Sequence, residues 1–207
     1  MRSLKVILFD YHSLLYNPGN FSSYDEILKA SINREKTWDY IFKYKRETKH
    51  FFLDLDQKGL LETAVSEEMF FNKLKNDLSK AKIYSDVVSG LEKLKSQEYK
   101  IGVVGDLPRT YLHLFPSDGF SSLVDHFCFS CDNGGLRMDS YEFFTIIEQF
   151  FRVAFYKMIL IANKKVIEDS VVTETAINLL EMDQNNESND PDVVRSMSEV
   201  LSKLYKA

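Results

Sequence analysis

The sequence predicts an α/β protein, a doubly wound and mostly parallel sheet with an inserted helical cap subdomain. Three observations lead there. Four short apolar runs are nearly continuous rather than alternating, as strands are when both faces of a sheet are covered. Helical patterns separate the later runs, which gives the strand–helix alternation of right-handed crossovers. Between the first and second runs lie several helical patterns, where a crossover needs one.

The elements follow in chain order. "KVILFD" (5–10) is the first strand and ends in Asp10. Residues 17–85 hold "YDEILKASI", "KTWDYIFKYKRE" and "SEEMFFNKLKNDL", each with helical periodicity. Trp38, Ile41 and Phe42 share one face there and form a small core. In "DVVSGLEKLKSQEY", Val87, Leu91 and Leu94 mark a helix that leads into the strand "KIGVVGD" (100–106). "HFCFSC" (126–131) and "KMILIA" (157–162) are the third and fourth strands. Between them "SYEFFTIIEQFFRVAFY" predicts a helix over 141–156. Phe143, Ile147, Phe150 and Ala154 form its face toward the sheet. Phe144, Phe151 and Phe155 then fall on an adjacent stripe, to be covered by the terminal helix or by a protein partner. "EMDQNNESNDPD" (181–192) is polar and acidic and reads as a solvated loop. "PDVVRSMSEVLSKLYKA" closes the chain as an amphipathic helix, with Val194, Met197, Leu201 and Leu204 along one face. The expected organisation is an α/β core of residues 1–16 and 86–207, with the cap at 17–85.

Composition narrows the function classes. The 207 residues are 44% hydrophobic and 28% charged, as in an ordinary globular protein. A net charge of -5 argues against a general nucleic-acid binder. Two cysteines, Cys128 and Cys131, make no disulfide framework and suit a reducing compartment. The N-terminus enters a strand within a few residues, which leaves no room for a signal peptide. The longest apolar stretch, "FFTIIEQFFRVAFYKMILIA", is broken by Glu148, Arg152 and Lys157, so no membrane span is expected. The expectation is a cytoplasmic protein that binds neither nucleic acid nor membrane. His126, Cys128 and Cys131 crowd one segment without a distant fourth partner, a poor zinc site. The basic run "KYKRETKHFF" (43–52) reads as a solvated helix face, with a docking patch for an acidic partner as the other reading.

These residues resemble the haloacid dehalogenase superfamily, in the branch with a helical cap after the first strand of a Rossmann-like sheet. The likeness runs almost end to end, through "KVILFDYHSLLYNP", "YSDVVSGLEKLKSQEYKIGVVGDLPRTYL", "LVDHFCFSCDNGGLRMDSYEFF", "KMILIANKKVIEDSVVTETAINLLEM" and "PDVVRSMSEVL". In that family's phosphatases a strand-end aspartate attacks phosphorus and a second aspartate, two residues on, protonates the leaving group. A Ser or Thr and a Lys bind the phosphoryl oxygens, and acidic residues of the fourth motif hold Mg²⁺.

The resemblance puts Asp10 at the nucleophile and His12 at the acid/base position, with Leu14 in place of a hydroxyl residue. Gly105 stands where the Ser or Thr belongs, followed by Asp106, and Arg137 stands where the Lys belongs. Ala162 and Asn163 replace the Gly-Asp of the fourth motif, and Glu168 or Asp169 supplies its later acid. His12 titrates near neutrality, and Arg137 keeps the charge with another geometry. Gly105 brings no hydroxyl, Asn163 brings no anionic metal ligand, and Asp106 adds negative charge where a phosphate would land. Two readings follow. One is a catalytically impaired relative that needs no cofactor and serves as a binding or assembly component with a protein partner. The other is a working phosphatase of small phosphate esters, with Asp10 as nucleophile and Mg²⁺ held by Asp10, Asn163 and Glu168 or Asp169. A metal-free dehalogenase fits less well, because it needs a Ser and a Lys at Gly105 and Arg137.

Overall fold

The computed structural model describes residues 5–16, 22–112, 119–163, 169–183, 190 and 193–206. Its centre is a five-stranded parallel sheet ordered β5-β4-β1-β6-β7. The strands are β1 (Val6–Asp10), β4 (Lys100–Gly105), β5 (His126–Phe129), β6 (Met158–Ala162) and β7 (Asn178–Glu181). All five residues of β1 are buried, which is why its sequence is apolar without alternation. Ile7 and Phe9 face one buried cluster, whereas Val6 and Leu8 face another on the opposite side.

Helices α5 (Val87–Ser96) and α9 (Met197–Lys206) cover the Ile7–Phe9 face, and α7 (Tyr141–Phe151) and α8 (Asp169–Thr175) cover the other. α9 docks closely on α5. The Met197 N–H donates to Asp86 Oδ2 at 2.8 Å, and a Cβ on Gly90 would lie 2.8 Å from Met197 Cε. Gly102 in β4 meets the same constraint, since a Cβ there would come within 2.7 Å of Leu8.

A short antiparallel ribbon, β2 (Leu15–Tyr16) with β3 (Lys82–Ile83), frames the long insertion. Between its strands lie α1 (Ser22–Lys29), α2 (Arg34–Lys43), α3 (Phe51–Gln57) and α4 (Glu67–Lys80). Asn33 caps α2 through the Lys36 N–H, and Ser66 caps α4 through the Met69 N–H, as these residue types do at helix starts. The buried cluster on the Ile7–Phe9 face continues without a break into Tyr24, Ile27, Ile41, Phe51 and Phe70 of the insertion. Sheet and inserted helices share one apolar core.

Several expectations need correction. The sequence reading gave four strands, whereas the sheet has a fifth: "NLLE" forms β7 beside β6, and its outer edge is partly covered where Val194 pairs with Met182. The strand is short, and its flanking Asn178 and Glu181 disguise it. The helix expected over 141–156 stops at Phe151, because Arg152 adopts a left-handed conformation (φ 54°) and turns the chain. Phe155 therefore belongs to the following turn. Phe144, Phe151 and Phe155 are all buried against the sheet and α8, on the side opposite the terminal helix, so they are monomer core rather than an exposed partner surface. Phe150, expected to face the sheet, is 50% exposed and stacks on His126 at 3.7 Å. Among the described residues no helix is long and apolar enough to cross a membrane.

Candidate functional site

Asp10 ends β1 at the centre of the sheet, level with Val104 of β4. It is fully buried and caps the 3-10 turn Tyr11–Leu14. Its Oδ2 accepts from the Ser13 N–H at 3.2 Å and from Ser13 Oγ at 3.0 Å. Its Oδ1 is buried and has no hydrogen-bond partner. Burial pushes the Asp10 pKa up, opposed by the neighbouring His12 and by hydrogen bonds from Ser13 and from the His12 backbone. The carboxylate thus acts as a local structural cap while one oxygen faces the strand end unmet. His12 is half-buried, its ring edge-on to Tyr11.

Gly105 lies one residue beyond the level of Asp10. A Cβ there would sit 3.2 Å from Tyr11 Cβ, so even the first atom of a serine would crowd this buried tyrosine. Tyr11 in turn packs edge-on against Tyr111 and Phe129, filling the space beside the strand end with aromatic rings. Asp106 follows, and the structure pairs it with Arg137. Asp106 Oδ1 accepts from the Met138 N–H at 3.0 Å and its Oδ2 lies 3.3 Å from Arg137 Nε. Burial raises the Asp106 pKa, which the Met138 hydrogen bond and the Arg137 charge oppose. The two residues that sequence reading placed separately in the substrate site therefore engage each other.

The inserted helices close over these loops. Tyr24 of α1 hydrogen-bonds Thr110 of α6 (Arg109–Leu112), with both side chains buried. The Phe42 ring of α2 lies 5.5 Å from Arg137 Cζ. The Lys43 stem passes Gly135 at a place where a Cβ would clash at 2.3 Å, and the glycine's φ of +84° suits no other residue well. Tyr24 and Thr110 were not among the residues singled out from sequence, and Phe42 was read only as part of the cap core. They carry no motif, and their partners lie far along the chain. The basic run is largely matched internally: Lys43 pairs with Asp39, Arg46 with Asp54 and Lys49 with Glu47. The run is not one helix face, however: α2 ends at Lys43, a loop and the 3-10 turn Thr48–His50 follow, and α3 starts at Phe51, with Tyr44 and Phe51 buried. Cys128 and Cys131 are buried, which pushes both thiols up to about 12, so neither is a ready thiolate.

The family resemblance implies a Mg²⁺ site, and the residues can be tested against it. Asp10 Oδ1 is a suitable open ligand and Asn163 follows β6 directly. Glu168 lies outside the described residues, and the Asp169 side chain is likewise undescribed. Among the described residues no group of three or more acidic, His or Cys side chains can hold a metal. Among the described residues the set comes to one carboxylate and one amide, fewer anionic oxygens than Mg²⁺ sites use. Titration with Mg²⁺ followed by thermal unfolding should accordingly give no midpoint rise that saturates below millimolar metal.

No family model matches the sequence, and no curated protein matches it. Solved structures do. A predicted HAD-like family hydrolase from Porphyromonas gingivalis superposes with a TM-score of 0.67 at 12% identity, over 99% of this chain and 98% of that one. A HAD family enzyme from Bacteroides thetaiotaomicron, crystallised with magnesium and inorganic phosphate, gives 0.64 at 12% identity, over 91% and 98%. A HAD phosphatase from Thermococcus onnurineus gives 0.60 at 16% identity, over 97% and 98%. The chain shares the fold of these HAD-like structures.

Proposed function

We propose that this chain is a catalytically impaired HAD-like protein retained as a binding or assembly component with a protein partner. One observation carries the reading: the cation expected to receive a phosphoryl group, Arg137, is engaged by Asp106 at 3.3 Å. Gly105 adds no hydroxyl, and burial raises the Asp10 pKa, which works against an ionised nucleophile.

A second reading keeps one observation in its favour. Asp10 Oδ1 is unmet at the end of β1, where a nucleophile would stand, which supports a phosphatase of small phosphate esters that uses His12 as acid. Hydrolysis of a broad phosphate-ester panel, with and without Mg²⁺, separates the two. The native protein should show no turnover above Asp10→Asn for any ester. Turnover that disappears in Asp10→Asn, and falls again on changing His12, would establish the second reading instead.

A further inference from the structure

We propose that Asp106 is a built-in anion. Resting on the reading above, it accepts from Nε of the Arg137 guanidinium, opposes the binding of phosphate and similar oxyanions there, and keeps Arg137 near the Phe42 ring. The contact is an autoinhibitory one, and it goes beyond the question of whether Asp10 turns over an ester.

The geometry supports each part. Asp106 is not a loose surface charge: its side chain is 17% exposed, and the Met138 N–H fixes Oδ1 at 3.0 Å. Oδ2 is thereby aimed at Arg137, whose own side chain remains 46% exposed. A second carboxylate, Asp139, stands 3.9 Å from the same Nε. An incoming oxyanion would need that guanidinium and would face both carboxylates, so their repulsion opposes binding. The other side of Arg137 lies near the Phe42 ring at 5.5 Å, a cation–π contact from the inserted helices. Arg137 thus joins the loop after β4, its own loop after β5, and α2. Because it is half-exposed, the pair adds little to stability, and removing its charge should leave the fold intact.

The probe is inorganic phosphate, read by thermal unfolding, on native protein, Asp106→Asn, Asp106→Ser and Asp106→Asn with Arg137→Gln. Asp106→Asn keeps an Oδ1 acceptor for the Met138 N–H, and Asp106→Ser removes the carboxylate with a shorter side chain. Native protein should show no phosphate-dependent midpoint change. Asp106→Asn and Asp106→Ser should gain a saturable rise of about 3–5 °C at ten times the dissociation constant, and the double variant should lose it. Trp38, the sole tryptophan, packs edge-on against Phe42 at 4.9 Å, so its quenching by acrylamide should increase in the single variants as Phe42 loses its partner. The proposal is overturned if native protein responds to phosphate as strongly as the variants do. It is equally overturned if folded single variants stay silent, if the rise survives Arg137→Gln, or if neither single variant folds.

Discussion

Phe144→Ala should destabilise the isolated monomer by about 3–5 kcal/mol, lowering Tm by roughly 10 °C or more. Phe144 is completely buried, with the rings of Phe143 and Phe155 at 5.6 and 6.4 Å, and it belongs to the cluster beneath α7 and α8. Truncation removes a large apolar group and leaves a cavity that rigid neighbours cannot fill. Phe150→Ala on the same helix is the control, expected within about 1 kcal/mol because half of that side chain is already in water. Circular dichroism melts of the two variants read both effects. A Phe144→Ala protein as stable as native would show that the aromatic stripe is not monomer core.

Asp10→Asn should make the protein more stable at neutral pH, by about 1–2 kcal/mol, since it replaces a buried charge whose Oδ1 has no partner. The pH dependence follows from the direction of the shift. Burial raises the folded pKa of Asp10 above 3.8. Its contribution to stability is therefore fully present below that value and lost as pH rises through the folded pKa. The variant's advantage should thus be absent in acid and grow toward neutrality. Urea unfolding of native and Asp10→Asn protein across that range tests it. A variant less stable than native at pH 7 would mean that the ionised carboxylate is satisfied in the fold, and would favour a resident cation beside it.

Four strands were legible because a strand covered on both faces has to be apolar along most of its length, as β1, β4, β5 and β6 are apart from Asp10, Lys100 and His126 at their ends. β7 escaped because an edge strand of four half-buried or exposed residues leaves no such mark. The end of α7 escaped for another reason. Phenylalanines continue past it at near-helical spacing, and the stop is set by Arg152, a residue type that carries no left-handed signal. At the candidate site, the positions of Asp10, Gly105, Asp106 and Arg137 were readable from the likeness to a known family. The pairing of Asp106 with Arg137 was not, because it depends on how two loops 31 residues apart meet in space. The hydrogen bond between Tyr24 and Thr110, across 86 residues, was equally hidden.

The unbroken cluster that runs from Ile7 and Phe9 into Tyr24, Ile41 and Phe70 has a consequence for motion. A flap hinged on a ribbon as short as β2–β3 can swing only if the surface beneath it tolerates water. Here lifting the helices would wet aromatic rings that also support the sheet, at about 25 cal/mol for every Å² exposed. Local opening then approaches global unfolding in free energy, and the buried amides of α1 and α2 share the fate of those in β1. Solvent exchange at those amides should report one cooperative unit, assembled from chain segments on either side of the insertion.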